Sequence, residues 1–200
     1  MNPIMQHYLE DRCEWAKSLG VKVIYSDKPF KKIEGGFKAT GYFDEKVLFL
    51  ALGNPNYITT AIHEYCHVDQ WAAGSALWSK TSDDDVVLWS DYVAGKFKLG
   101  SAEIKRATRH IRNLELDCEK RAIRQIEKFD LPVDIPTYVQ RANAYMFYHS
   151  TMAVFRGYAI HKSPYQEKRV WRTMPKYFLT TEEYDNPSQD FLLRCRLHCY

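Results

Sequence analysis

The sequence has no long hydrophobic run. Its longest unbroken apolar stretch, Val47 to Leu52, is six residues, far short of the roughly 20 a bilayer-spanning helix needs. No membrane association is therefore expected. A signal-peptide pattern is missing too, because Glu10, Asp11 and Glu14 stand where a basic start and an apolar stretch would be required. Internal repeats, low-complexity tracts and long Gly/Ser/Pro linkers are absent. Cysteine is scarce and odd in number, five in all, which argues against a disulfide framework and for reduced thiols in the cytoplasm. Charge of one sign is also lacking. The 28 Lys and Arg against 25 Asp and Glu leave a net of +3, too mild to make nucleic acid the expected partner.

What is present fits one folded domain. A length of 200 residues lies below the size at which chains usually divide, and 46% hydrophobic with 26% charged residues is a globular balance. Asn2 and Pro3 read as the N-cap and first position of a helix with Ile4, Tyr8, Leu9, Ala16 and Leu19 on one face, stopped by Gly20. Val21 to Tyr25 reads as a strand, Gly35-Gly36 as a turn, and Phe37 to Phe43 and Val47 to Leu52 as two further strands. Helices are expected over about 57–73, from an Asp83–Asp85 cap to Phe97, over 102–129 and over 137–155. The 102–129 helix has an apolar stripe of Ile104, Ala107, Ile111, Leu114, Cys118, Ala122 and Ile126. Pro132 and Pro136 read as breaks. Residues 156–200 are expected to be largely irregular, with Tyr177 to Thr180 a possible strand. The fold class is α+β.

One motif carries chemistry. His63-Glu64-Tyr65-Cys66-His67 falls within a predicted helix, where positions i and i+4 share a face. His63 and His67 can thus offer two imidazoles to one Zn2+ ion, with Glu64 beside it as general base. A chain of this composition would carry the pattern roughly 0.014 times by chance. Zinc needs a third protein ligand. Gln70 and Ala73 occupy the places of an extended glycine-histidine motif, and Trp78 and Ser79 those of a nearby histidine or cysteine. A glutamate on a later helix is the remaining common solution. Glu115 borders the apolar stripe of the 102–129 helix and Glu119 lies one turn on. Either can instead pair with Arg112 or Arg121 on its own helix.

These residues resemble those of the gluzincin metallopeptidases, in particular the small single-domain minigluzincins and the peptidase-like proteins of bacteria and phages. The resemblance covers about residues 36–125. It implies a small zincin-like domain, a short N-terminal sheet packed on the His-Glu-x-x-His helix and on a second, glutamate-bearing helix. It assigns His63, His67 and Glu115 to zinc, Glu64 to the base, and Glu119, where the family usually has Asp, to support of a zinc-bound histidine. It also implies a tyrosine or histidine that stabilises the oxyanion. Tyr138, Tyr145, Tyr148, His149 and His110 are candidates, with Tyr145 and His149 preferred. The strand Val47 to Leu52 would offer its edge to an extended peptide, or be an ordinary buried strand, which its unbroken apolar run favours. The expected activity is zinc-dependent hydrolysis of a peptide or protein in the cytoplasm, that of the host cell if the protein is phage-encoded. A catalytically inactive binding protein of the same fold, or a protease of nucleic-acid-associated targets, are the alternatives.

Two weaker signals remain. Cys195, His198 and Cys199 are chemically suited to a metal but lack an obvious partner pair. Lys162, Lys168, Arg169, Arg172 and Lys176, interleaved with Tyr165 and Trp171, form a basic cluster. It could contact nucleic acid or an acidic partner, but a solvated face is its ordinary reading, since Glu182, Glu183, Asp185 and Asp190 follow and offset the charge.

Overall fold

The structure, a computed structural model, describes residues 2–33, 38–79, 84–96, 98 and 100–200. The turn at Gly35-Gly36, the strand start at Phe37, the cap at Asp83 and the apolar position Phe97 lie outside the described residues. Helices dominate, at 60% of the chain, beside a small sheet. The α+β class follows. No helix is long and apolar enough to cross a membrane among the described residues.

The chain divides into two units, one of residues 1–79 and 118–133, the other of 80–117 and 134–200. In the first, α1 (Pro3–Ser18) begins with the Asn2 side chain accepting from the N–H of Ile4 (2.9 Å). It ends before Gly20, whose φ of 84° is a conformation glycine adopts without steric cost. Its buried face is Met5, Tyr8, Leu9, Arg12 and Ala16. Ile4 and Leu19, expected inside, are exposed. Arg12 is the reason the face is misread: it is buried by pairing with Asp69 (2.5 Å), which a hydrophobic pattern cannot show.

Three strands follow as one sheet in the order β1-β5-β4, with β1 (Lys22–Ser26), β4 (Gly41–Phe43) and β5 (Val47–Ala51). β1 runs parallel to β5, and β4 antiparallel to it. The expected strand 37–43 is split at Thr40. β3 (Lys38–Ala39) pairs with β2 (Lys31–Lys32) in a separate two-stranded sheet. Between β4 and β5, the Asp44 carboxylate accepts from the N–H groups of Lys46 (3.1 Å) and Val47 (2.7 Å), an Asx turn. β5 is central and buried from Leu48 to Ala51. That corrects the expectation that its edge receives a peptide: both of its edges are already paired, and β4 is the antiparallel edge. Next come α2 (Tyr57–Ala72), which packs on β4 and β5, and the short α3 (Ala76–Ser79).

The second unit holds α4 (Asp84–Val93), α6 (Ile135–Phe155), α7 (Lys168–Trp171), α8 (Thr181–Asp185) and α9 (Gln189–His198). The 28-residue α5 (Ser101–Lys128) contributes residues to both units. Its predicted stripe is buried from Ala107 to Ile126, while Ile104 is half-buried. Pro136 does not break the chain. It sits in the first turn of α6, where its missing N–H costs nothing, behind Asp134, which accepts from Thr137 N–H (3.0 Å). Residues 156–200 are likewise not simply irregular. Three short capped helices occupy them, one with a full capping box between Thr180 and Glu183, and Tyr177 to Thr180 is not a strand.

Candidate metal centre

α2 carries the His-Glu-x-x-His spacing. The rings of His63 and His67 stand 4.6 Å apart and nearly perpendicular, which brings their Nε2 atoms to 3.1 Å. Each remaining ring nitrogen has its own partner. Nδ1 of His63 donates to Oε1 of Glu119 on α5 (3.1 Å). Nδ1 of His67 donates to Oε1 of Gln70 (2.8 Å). A carboxylate and an amide oxygen only accept, so both Nδ1 atoms carry the ring proton and both Nε2 atoms present lone pairs. Lone pairs facing each other at this distance repel. A cation between the rings, a metal ion or a proton, would relieve that repulsion, and the pair could hold one.

Zinc fits the dimensions. With Zn–N bonds of about 2.0–2.1 Å and tetrahedral angles, two ligand nitrogens stand roughly 3.3 Å apart. The carboxylate–histidine pairing is also what orients a metal-binding imidazole. Glu119 Oε2 is buried with no hydrogen-bond partner among the described residues, an acceptor suited to a cation or an ordered water. The His63 side chain is 17% exposed, so the pair is open to solvent on one side.

Cys118 is the third member of the one group of three ligating side chains among the described residues, with all atoms within 4.8 Å of one another. Its thiol donates to the His63 carbonyl oxygen (3.2 Å) and lies 3.6 Å from His63 Nδ1. That is the side of the ring carrying the proton, away from the two Nε2 atoms. Cys118 therefore props the His63 ring from behind. Sequence reasoning placed it in the apolar stripe, and its 0% exposure agrees with that. Gln70 was missed as a functional residue, although its i+3 spacing from His67 was a usable signal.

Glu64 is nearly buried, at 9% exposure, and lies against β4. A Cβ built on Gly41 would stand 2.7 Å from Glu64 Cγ and 2.9 Å from its Oε1, and 2.7 Å from Thr60 Cγ2. Only glycine lets the helix and this carboxylate approach the edge strand so closely. On the other flank, the Trp78 ring lies 5.5 Å from that of His67 and 5.3 Å from that of Phe43. Its indole N–H donates to Glu45 (2.8 Å).

His63, Glu64, His67 and Glu119 thus meet within the first unit. Glu115, Tyr145 and His149 belong to the second. There the Tyr145 ring packs on His149 (4.9 Å) and Tyr165 (5.1 Å). His149 donates from Nδ1 to the Tyr145 carbonyl (3.1 Å). Burial pushes its pKa down, against the pull of the Glu115 carboxylate, so it is held neutral. Tyr148 accepts from Ala159 N–H (3.1 Å) and packs in a core with Trp89 and Ile111. Cys195 and Cys199 are buried in the apolar core with Phe191 and Val170. No third ligating side chain joins them among the described residues.

No protein-family model, curated protein or solved structure matches the chain.

Proposed function

We propose that the chain is a zinc-dependent metalloendopeptidase of zincin type, related in its site to the gluzincins. The observation that carries this reading is the convergence of two Nε2 lone pairs at 3.1 Å, each ring oriented through Nδ1 by a buried acceptor. Zinc held there supplies a Lewis acid and lowers the pKa of a water. Glu64, on the same turn of helix, accepts the proton of the attacking water and returns it to the leaving amine. The antiparallel edge strand β4, against which Glu64 rests, offers main-chain groups to an extended peptide. The resemblance names Glu115 as the third ligand and Tyr145 or His149 as the oxyanion donor; of the two Tyr145 is favoured, because a neutral His149 that donates from Nδ1 to the Tyr145 carbonyl has no second N–H to give.

Glu64→Gln tests this reading. Hydrolysis of a mixed peptide library should fall by at least 10²-fold, the usual weight of a general base, while zinc content is unchanged. Full activity in this variant contradicts the assignment. In the same assay Glu115→Ala should lower zinc affinity, and a normal affinity removes it from the ligand set.

A further inference from the structure

The basic cluster near α7 looked balanced by the carboxylates that follow it in sequence. The structure shows that three of these four carboxylates, Glu183, Asp185 and Asp190, have partners of their own. Glu183 accepts from Thr180 N–H (2.7 Å) in its capping box. Asp185 is held by Arg109 and by Arg112 (2.5 Å), the latter 1% exposed. Asp190 pairs with Arg194 (2.7 Å). Glu167 caps α7 by accepting from Arg169 N–H (3.1 Å), and its carboxylate stands 4.0 Å from the Arg169 guanidinium. Asp134, whose carboxyl is held by Thr137 first and feels the Lys176 charge last, caps α6. Glu182 is left as an exposed acid on α8. Lys168, Arg172 and Lys176 form no ion pair among the described residues, and all are exposed, as is Arg169.

The backbone that presents them is fixed. Gln140 on α6 donates to the carbonyls of Arg172 (3.2 Å) and Met174 (2.7 Å). Asn143, 0% exposed, donates to those of Pro175 and Tyr177 (both 2.9 Å). The buried Tyr184 hydroxyl donates in turn to Asn143 Oδ1. Four amide hydrogen bonds therefore pin the stretch 172–177 to α6 by its main chain, and leave its cations outside. Two aromatic rings accompany them. Tyr177 is 67% exposed, and the half-buried Trp171 has the Arg172 guanidinium 5.7 Å from its ring centre.

We infer that the face formed by Lys168, Arg169, Trp171, Arg172, Lys176 and Tyr177 binds single-stranded nucleic acid. Cations on a pre-ordered backbone track phosphates, and exposed rings stack unpaired bases. A duplex offers such rings few unstacked bases, and an acidic peptide brings no bases to stack on them. The inference is independent of the metal centre, because none of these residues belongs to it.

The test is fluorescence anisotropy of the full chain with a labelled oligothymidylate, at several salt concentrations. Four phosphate contacts predict a slope of about −3 in log affinity against log salt, a loss of roughly 50-fold between about 50 and 200 mM. The double variant Arg172→Gln, Lys176→Gln should flatten the slope by about 1.4. Tyr177→Ala should weaken binding about 5- to 150-fold and leave the slope unchanged, which separates stacking from charge. No binding at about 50 mM salt, or variants that bind like the unaltered chain, would overturn the inference. So would poly-glutamate binding as tightly as the oligonucleotide with Tyr177→Ala silent, since the face would then serve acidic proteins.

Discussion

At the residue scale, the two histidines differ in what stands behind them. His63 has a carboxylate, Glu119, and His67 a neutral amide, Gln70. Both acceptors keep the proton on Nδ1 and turn the two Nε2 atoms toward each other, and such partners are commonly worth 10–100-fold in metal affinity. Glu119→Leu and Gln70→Leu should therefore each weaken zinc binding by about that factor, read by competition with a chromophoric chelator. Gln70→Glu, which restores an acceptor, should bind zinc at least as tightly as the unaltered chain. Equal affinity in Gln70→Leu would mean that His67 needs no such support. The facing of His63 and His67 was legible in the sequence because a fixed helical spacing dictates which side chains share a face. Cys118 was not legible as a support for His63. A buried thiol in an apolar stripe looks like core, and only the fold shows which carbonyl it meets.

At the scale of elements, the approach of α2 to β4 sets where Glu64 lies. Gly41 makes that approach possible. Gly41→Ala puts a methyl group into the Glu64 and Thr60 side chains, and overpacking of this kind costs about 1–3 kcal/mol. Thermal denaturation should show that loss. Zinc binding should persist, because the atoms nearest the added methyl group belong to Glu64 and Thr60 and not to either histidine. A variant as stable as the original would show that Glu64 has room to move. The sequence marked α2, α5 and α6 well, since long amphipathic periods and caps survive tertiary context. It misplaced the buried face of α1, where a charge is buried by pairing, and it missed α7 to α9. Those helices are four to ten residues long, too short for periodicity, and they lie between prolines that read as interruptions. Their capping residues, Glu167, Thr180 and Ser188, were the available signal. The two-residue strands β2 and β3 carry almost no pattern at all.

At the scale of the whole molecule, chemistry and charge are divided between different residues. The histidine pair, its base and its supports lie in the first unit. The basic and aromatic face lies in the second. A net charge of +3 conceals this division, because Asp185 and Asp190 pair with arginines of their own while Lys168, Arg172 and Lys176 form no ion pair among the described residues. The amino-acid composition registers the sum and not the pairing, so the charge balance underrated that surface.

The central claim is that the facing Nε2 atoms of His63 and His67 hold a zinc ion and not a shared proton. The direct measurement is metal content after stripping with a chelator and reloading with zinc, on the unaltered chain and on His63→Ala and His67→Ala, each checked for folding by circular dichroism. The account predicts one zinc per unaltered chain, and none retained through dialysis by either folded variant. An unaltered chain that retains no zinc, or folded variants that retain it in full, would contradict it.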